Sequence, residues 1–252
     1  MDDPIETLAY LVAQSRSMIA FTGAGISTPS GIPDFRSPHC GLWEGVDPLE
    51  VASIYGFRQN PEAFYGWVSP LARVILNAKP NPAHEALARL EQMGILKALI
   101  TQNIDMLHGR AGNKTVHELH GHMREATCVS CFTVYAGEAI IERFLEDRVL
   151  PRCPKCGGVL KPNVILFGEQ LPYRELQAAQ EAARRTDLML IVGSSLEVAP
   201  ASDLPLIALR AGAKLIIVNY ETTFVDPKAA CVVHGNCAEV LPAVLERLEK
   251  TV

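Results

Sequence analysis

A short apolar run that leads into closely spaced glycines restricts the folds available to this chain. Residues 18–21 read MIAF and residues 22–25 read TGAG, with the hydroxyls of Ser27 and Thr28 close behind. Glycine allows a backbone to turn sharply and to approach a ligand closely. Doubly wound α/β folds use a strand that ends in such a loop to present backbone N–H groups to a pyrophosphate. The stretch therefore predicts a parallel sheet with a nucleotide-binding loop after its first strand.

The glycines alone leave the ligand open. The third glycine of the dehydrogenase fingerprint is missing, and no acidic residue ends a second strand about 20 residues later, where a ribose contact would stand. A tight turn without any ligand is the alternative. The next segment favours a ligand, because Asp34, Phe35 and Arg36 place a carboxylate, an aromatic ring and a guanidinium in consecutive positions. Such a cluster suits a loop that folds over a charged aromatic ligand.

Further apolar runs predict the other strands of the sheet, and the periodicity between them indicates helices. The predicted strands comprise residues 96–101, 115–119, 164–167, 188–192 and 214–218, and the predicted helices comprise residues 4–17, 83–93, 106–110, 173–185, 202–210 and 238–249. Residues 37–76, which are rich in aromatic side chains, interrupt this rhythm and predict a helical insert in which most of these rings form a small local core. Polar residues follow several strands, at 102–105, 120, 193–195 and 219. The carboxyl ends of parallel strands are where open sheets bind ligands, so we expect these residues to converge.

Two Cys-x-x-Cys pairs predict a metal site. Cys128 and Cys131 form the first pair, Cys153 and Cys156 form the second, and 21 residues separate the two. In a non-secreted chain this spacing matches a closed tetrahedral zinc site rather than disulfides. Because all four ligands would be cysteines, we expect the zinc to be structural and not to activate water. A redox pair and an iron–sulfur cluster are the competing interpretations.

Charge and hydropathy argue against several classes of partner. The chain has 252 residues and a net charge of −5, which argues against nucleic-acid binding through phosphate neutralisation but leaves room for lysine-rich peptides. No apolar run approaches the roughly 18 residues of a membrane span, so no membrane partner is expected. The acidic beginning of the sequence lacks the basic region of a signal peptide. A reducing cytoplasm is the expected compartment.

Taken together, the motifs resemble those of the sirtuins, which are NAD-dependent protein lysine deacylases, and especially their compact microbial members. The shared motifs in chain order are GAGIS at 23–27, GIPDFRS at 31–37, TQNID at 101–105, HG at 120–121, the two cysteine pairs, FGE at 167–169, GSS at 193–195 and Asn219. The resemblance covers nearly the whole chain.

An α/β architecture of two lobes is what the resemblance implies. A Rossmann-like parallel-sheet domain would comprise residues 1–36, 77–119 and 160–252. A smaller lobe would combine the helical insert of residues 37–76 with a zinc-ribbon module of residues 120–159. NAD and an acyl-lysine peptide would enter the cleft between the lobes from opposite sides.

The reaction that the resemblance implies transfers an acetyl group from a protein lysine to NAD. The acyl oxygen attacks the nicotinamide ribose, nicotinamide leaves, and a ribose hydroxyl then attacks the acyl carbon. The products are nicotinamide, O-acetyl-ADP-ribose and free lysine. His120 is the expected base for the ribose hydroxyl, because imidazole accepts a proton near neutral pH. His117 and His122 are its close competitors.

The resemblance also assigns contacts on the nicotinamide side of NAD. Asn103, the second residue with an expected catalytic role, would orient the ribose or a water. Gln102 would bond the nicotinamide ribose. Asp105 and the backbone of Ile104 would bond the carboxamide of nicotinamide.

The loop and the remaining contacts complete the expected NAD site. Phe35 would stand between the reacting carbon and departed nicotinamide, Arg36 would contact the phosphate side, and Asp34 would hold the loop. The other expected contacts are Gly23, Ala24, Gly25, Ser27, Thr28, Gly193, Ser194, Ser195, Asn219 and Cys237.

The peptide is expected to add as a strand between residues 164–169 and 197–200. Its expected contacts are Ile165, Phe167, Gly168, Glu169, Glu197 and Val198. Family members that prefer succinyl or malonyl groups carry a Tyr-x-x-Arg pair in the insert. Here the matching stretch begins at Tyr65 and has Val68 where arginine would stand. A neutral acyl group such as acetyl is therefore expected.

Four other functions remain open on the sequence. The same site could transfer ADP-ribose to protein, or remove other acyl groups. A zinc-ribbon module that binds nucleic acid or protein and an ordinary NAD dehydrogenase belong to different classes. The net charge argues against nucleic-acid binding, and the missing third glycine and ribose carboxylate argue against a dehydrogenase.

Overall fold

A computed structural model describes residues 3–34 and 46–251, and in these residues the chain forms two lobes. The described strands, numbered in chain order, are β1 (Met18–Thr22), β2 (Leu96–Thr101), β3 (Val116–Glu118), β4 (Gly121–Cys128), β5 (Val134–Ala136), β6 (Leu160–Val164), β7 (Leu188–Val192), β8 (Lys214–Asn219) and β9 (Cys231–His234). The described α-helices are α1 (Pro4–Gln14), α2 (Pro48–Val51), α3 (Ile54–Gln59), α4 (Pro61–Asn77), α5 (Pro82–Gln92), α6 (Leu107–Ala111), α7 (Gly137–Asp147), α8 (Tyr173–Arg185), α9 (Leu204–Arg210) and α10 (Cys237–Thr251).

The larger lobe is built on a six-stranded parallel sheet with the strand order β3-β2-β1-β7-β8-β9. Every residue of β1 and β7 is buried, because helices cover both faces of the sheet. One face packs against α1, α5 and α10, with Leu8, Leu87 and Leu241 in its core. The other face packs against α8 and α9. In the sheet, β1 pairs with β2 on one side and with β7 on the other. The connections that follow β1 and β7 therefore run in opposite directions, and a crevice opens at the carboxyl end of β1.

The smaller lobe combines a three-stranded antiparallel sheet, in the order β5-β4-β6, with α2, α3, α4 and α7. Its core includes the rings of Phe57, Phe64 and Tyr65, as expected for the aromatic insert. Only two residues, Leu119 and His120, separate β3 in the large sheet from β4 in the small sheet. The passage between the lobes therefore lies at His120.

Four helices begin with the same local signal. Asp3, Asp47, Asn60 and Asn81 each cap a helix by accepting a hydrogen bond from a backbone N–H, and a proline follows each of them. An Asx side chain satisfies one of the free amides of the first turn, and proline there has no N–H to leave unpaired. Local chemistry therefore sets where α1, α2, α4 and α5 begin.

The predicted architecture of a parallel-sheet domain with a second, smaller lobe is confirmed. The strand predicted at residues 164–167 is wrong. The strand is β6, which ends at Val164 and pairs antiparallel with β4 in the small sheet. Its buried residues alternate along the strand, as one buried face requires, whereas the apolar run after it forms an irregular segment. In the described part of the chain, no helix is long and apolar enough to cross a membrane.

Candidate active site

A cavity of about 390 Å³ opens between the carboxyl edge of the large sheet and the smaller lobe. Most of the residues predicted for the site line it. From the predicted NAD set these are Gly23, Ala24, Gly25, Thr28, Asp34, Gln102, Asn103, Ile104, His120, Gly193, Ser194, Ser195 and Asn219, and from the predicted peptide set they are Ile165, Phe167, Gly168, Glu169 and Val198. The volume lies in the range of small-molecule sites.

Six predicted site residues lie elsewhere or cannot be placed. Ser27 and Asp105 are buried behind the cavity, and Cys237 is buried with its thiol 3.9 Å from the carbonyl oxygen of Gly25. Glu197 is exposed and does not line the cavity. The remaining two predicted residues, Phe35 and Arg36, lie outside the described residues.

Two glycine loops form the floor of the cavity and interlock. The N–H of Gly25 donates to the carbonyl oxygen of Gly193 at 2.8 Å. A Cβ added at Gly23 would lie 2.8 Å from that same oxygen, and one added at Gly193 would lie 2.2 Å from the nitrogen of Ile26. Both separations are shorter than any real Cβ contact, and Gly193 also has a positive φ of 61°. The loops after β1 and β7 can therefore meet only as bare backbone.

Asn103 is held rigidly at the edge of this floor. Its side-chain amide donates to the carbonyl oxygen of Gly23 at 3.0 Å and to Ser27 Oγ at 3.2 Å. Ser27 in turn donates to Asp105 at 2.6 Å, and Asp105 also accepts from the N–H of Leu107 at 2.9 Å. Burial raises the pKa of the Asp105 carboxyl group, and these bonds oppose that effect. Asp105 thus supports the site from behind instead of lining it.

Of the histidines that the structure describes, His120 is the one that lines the cavity. Its Nδ1 lies 3.0 Å from the carbonyl oxygen of Gln102, and because a carbonyl oxygen only accepts, Nδ1 carries the proton. Nε2 is then the unprotonated nitrogen. Burial lowers the pKa of His120 below its ordinary value of 6.5, partly offset by the bond to Gln102. The imidazole is therefore neutral near pH 7 and able to accept a proton.

The two competing histidines do not reach the cavity. His117 Nδ1 lies 2.9 Å from a carboxylate oxygen of Glu175 in α8. His122 lines a separate groove of about 670 Å³ between the small sheet and α8. The geometry therefore selects His120.

The back wall of the cavity is apolar and comes from the helical insert. Phe64, Trp67, Val68 and Leu71 of α4 line it. Tyr65 points the other way, since its hydroxyl is buried and donates to the carbonyl oxygen of Leu160 at 2.6 Å. No lysine or arginine of the described residues lines this cavity.

Sequence reasoning missed most of this wall. The aromatic side chains of α4 were expected to form a local core, which holds for Phe64 only in part, because it also faces the cavity. The amphipathic pattern of the helix was a usable signal, since Phe64, Val68 and Leu71 recur at the spacing of one helical face. Tyr220 and Glu221, which follow Asn219 at the end of β8, were also missed.

The edge expected to receive a peptide is partly occupied. The N–H of Phe167 donates to the carbonyl oxygen of Ala52 at 2.9 Å, and its own carbonyl oxygen accepts from Ile54 at 3.0 Å. The backbone of Phe167 is thus tied to the insert, while its ring is 38% exposed at the cavity. Gly168 and Glu169 continue the cavity wall beyond it.

The four cysteines fit a structural zinc ion. Their sulfur atoms lie within 4.8 Å of one another, with Cys128 to Cys156 at 3.5 Å and Cys131 to Cys153 at 3.6 Å. Zinc bonded to four sulfurs at about 2.3 Å needs sulfurs roughly 3.8 Å apart, so the set needs little adjustment. The side-chain hydroxyl of Thr133 helps to lower the pKa of Cys131 to about 6, which favours the thiolate that zinc requires. The eight residues of β4 place Cys128 on the order of 20 Å from His120, too far for the metal to act in the cavity.

Comparison with known proteins identifies the family. The family model for the Sir2 family matches residues 23–200. An NAD-dependent protein deacylase 2 of Archaeoglobus fulgidus is 49% identical over 99% of this chain and 98% of its own length. An NAD-dependent protein deacetylase of Sulfolobus acidocaldarius is 47% identical over 96% of this chain and 94% of its own length. A solved complex of a Sir2 protein with a p53 peptide and NAD⁺ is 43% identical, covers 96% of this chain and 98% of its own, and superimposes with a TM-score of 0.88.

The chain belongs to the Sir2 family. The resemblance that its motifs indicated is confirmed.

Proposed function

We propose that the protein is an NAD-dependent protein lysine deacylase that removes acetyl and other neutral acyl groups. The observation that carries the proposal is the neutral His120 imidazole, held by the Gln102 carbonyl with Nε2 unprotonated, in a cavity that joins a glycine floor to an apolar wall. NAD, as co-substrate, supplies the ribose carbon that takes the acyl oxygen and the hydroxyl that takes the acyl group.

The glycine floor and the polar residues around it would bind NAD. Interlocked backbone at Gly23 and Gly193 leaves no side chain between the floor and a bound dinucleotide. Ser194, Ser195 and Asn219 would bind the adenosine and phosphate part, and Gln102 and the amide of Asn103 would bind the nicotinamide ribose. Because Asp105 lies behind Ser27, its proposed part is to hold this edge in place, while the backbone of Ile104 meets the carboxamide. Asp34, Phe35 and Arg36 would close over the ligand.

His120 would take the proton of the ribose hydroxyl at Nε2. The bond from Nδ1–H to Gln102 stabilises the imidazolium that forms, since a carbonyl dipole favours the positive ring. Because the ring is neutral before the step, no prior deprotonation is needed near pH 7.

The acyl-lysine peptide would lie along Gly168 and Glu169 on one side and Val198 on the other. Its backbone would supply most of the affinity, as in other peptides that add to an exposed edge. Phe167 would contact the lysine stem. Val68 and its apolar neighbours favour a neutral acyl group, because an acid would lose its hydration there and no lysine or arginine of the described residues lines the cavity to pair with it.

We also propose that the protein works in the reducing cytoplasm. Cys231 and Cys237 are buried free thiols, and the four clustered cysteines serve as zinc ligands only while reduced.

Mass spectrometry of the zinc-loaded protein with an acetyl-lysine peptide tests the activity. We expect loss of the acetyl group only with NAD present, and formation of nicotinamide and O-acetyl-ADP-ribose in equal amounts. His120→Ala should abolish acetyl removal, whereas His117→Ala, which removes a nearby histidine outside the cavity, should retain it. ADP-ribose attached to protein with the acetyl group intact would instead establish a transferase.

A further inference from the structure

Three buried polar side chains lie behind the cavity in a continuous row of hydrogen bonds. His108 Nε2 lies 2.9 Å from Thr22 Oγ1, and Thr22 Oγ1 donates to Thr101 Oγ1 at 2.9 Å. All three residues are at most 3% exposed. Thr22 and Thr101 end neighbouring strands, where valine would fill the same space without a polar atom to satisfy. Core packing therefore gives no reason for the row.

The row ends on one peptide group of the active site. Thr101 Oγ1 accepts a hydrogen bond from the N–H of Asn103 at 3.0 Å. The carbonyl group on the other side of that same peptide bond is Gln102 O, which accepts from Nδ1–H of His120 at 3.0 Å. A peptide group is planar, so its N–H and C=O turn together. Anchoring the N–H at Thr101 thus fixes the direction in which the carbonyl meets His120.

Thr22 Oγ1 lies within hydrogen-bond distance of both Thr101 Oγ1 and Nε2 of His108. A hydroxyl both donates and accepts, so Thr22 joins the two side chains. The N–H of Asn81 donates to Nδ1 of His84 at 3.4 Å, so Nε2 of His84 carries a proton.

The two histidines extend the row away from the site. Their ring centres are 4.8 Å apart, and among the described residues neither Nε2 of His84 nor Nδ1 of His108 has a hydrogen-bond partner. Burial lowers the pKa of both rings, so both are neutral near pH 7.

We propose that Thr101, backed by Thr22 and His108, is a positioning residue that holds the catalytic imidazole of His120 through the Gln102–Asn103 peptide group. The proposal rests on the proposed function, because it gives His120 its part in acyl transfer. In this proposal the hydrogen-bonded row acts in the second chemical step, in which the ribose hydroxyl attacks the acyl carbon. His120 acts on the ribose hydroxyl after nicotinamide has left, so a misdirected imidazole slows acyl removal without slowing nicotinamide release.

A purely structural role for Thr101 would predict a different pattern. Loss of a buried hydroxyl would then lower stability and reduce all activities together. Thr186 is a matched control, since it is 5% exposed and its hydroxyl donates to the carbonyl oxygens of Ser17 and Leu188, away from the cavity. Thr186→Val removes at least as much buried hydrogen bonding as Thr101→Val but leaves the row intact.

The first measurement is independent of activity. Imidazole ¹⁵N NMR of histidine-labelled protein, with the His120 signals assigned by their loss in His120→Gln, reports which ring nitrogen carries the proton. We expect Nδ1–H alone in the native protein and in Thr101→Ser, and a mixture of both tautomers in Thr101→Val. Unchanged His120 signals in Thr101→Val would overturn the inference, whatever the activity does.

The second measurement compares two reactions of the full-length, zinc-loaded protein. Exchange of labelled nicotinamide into NAD, in the presence of acetyl peptide, reports the first step, and acetyl removal reports both steps. Thr101→Val should lower acetyl removal about 3- to 10-fold, the effect of one neutral hydrogen bond, and leave exchange within about 2-fold. Thr101→Ser should restore acetyl removal, and Thr186→Val should not separate the two rates. Equal losses in both reactions would contradict the inference. If the native protein leaves NAD intact but Thr101→Val still shifts the His120 tautomer, the proposed function is refuted and the positioning role is retained.

Discussion

Acid should destabilise this protein through the buried imidazole of His84. The ring is fully buried in the first turn of α5, and burial lowers its pKa from 6.5 to about 4. At pH 5 the ring stays neutral in the folded protein, whereas in the unfolded chain it takes up a proton. The unfolded state then binds more protons, so the stability that is present above pH 6.5 is lost as the pH falls toward 4.

The size of the effect follows from these two pKa values. Between pH 7 and pH 5 the linkage relation gives a loss of about 2 kcal/mol from His84 alone. The pKa of His108 is also lowered, again by burial first, so its contribution has the same sign. Asp105, whose pKa is raised, contributes in the opposite direction at lower pH.

Urea unfolding at pH 7, 6 and 5 measures the loss in the free energy of unfolding, and the His84→Gln variant isolates the contribution of His84. Glutamine at this position can accept the bond from the N–H of Asn81 that the imidazole now accepts, as in an ordinary capping box, but it does not titrate. We expect the native protein to lose about 2 kcal/mol more than the variant between pH 7 and 5. Ala86→Gly, two residues along the same helix, should cost about 1 kcal/mol equally at every pH. The same pH dependence in His84→Gln as in the native protein would refute the reasoning.

Three further perturbations test the site and the zinc module. The rate of acetyl removal should fall at acid pH with a midpoint below pH 6.5, because the lowered pKa keeps His120 neutral to lower pH. A midpoint above pH 6.5 in a pH–rate profile would contradict this prediction. Cys131→Ser, or a zinc chelator, should unfold the small sheet before the large one, because only four of the described residues form the buried cluster around the metal site. Hydrogen exchange of the β4 and β7 amides would show whether β4 loses protection first. Val68→Arg should shift preference from acetyl- to succinyl-lysine by about 10-fold or more in kcat/KM, because it places a cation in the apolar wall; Val68→Leu, measured alongside, should keep the acetyl preference.

The sequence was most informative where burial is complete or a ligand set is chemically specific. The runs at β1 and β7 are apolar throughout because both faces of the sheet are covered, and such runs stand out against a polar background. Four cysteines in two tight pairs admit few structures other than a metal site. His120 was found because it follows a strand at the edge where parallel strands end together.

The strands that were misplaced or missed in the prediction are segments with one exposed face. In β6 the buried residues Leu160, Pro162 and Val164 alternate with less buried ones, which is a weaker signal than the continuous apolar run that follows it. The prediction therefore placed the strand at residues 164–167, where the run is fully apolar. The strands β4, β5 and β9 were missed for the same reason, since each is short or half exposed.

Two kinds of information were missing from the prediction, and only the second lay outside the sequence. The pairs Asp47–Pro48 and Asn60–Pro61 were visible and would have placed the starts of α2 and α4, but they were not used. By contrast, no pattern shows that Asp105 turns toward Ser27 instead of the cavity, because that depends on where the neighbouring strand end brings a hydroxyl. Side-chain direction within a short polar motif is decided by tertiary contacts.

Saturation mutagenesis would give a misleading map of NAD binding at the floor of the cavity. Gly23, Gly25 and Gly193 would reject every side chain because their backbones touch each other, whether or not a ligand is present. Intolerance at these positions therefore measures the fit of two loops and carries no information about affinity. Affinity is better tested at Asn219, which lines the cavity and meets the loop after β7 through its side chain instead of its backbone. The three glycines also constrain one another, so a substitution at one position would need a compensating shift in the opposite loop before selection could accept it.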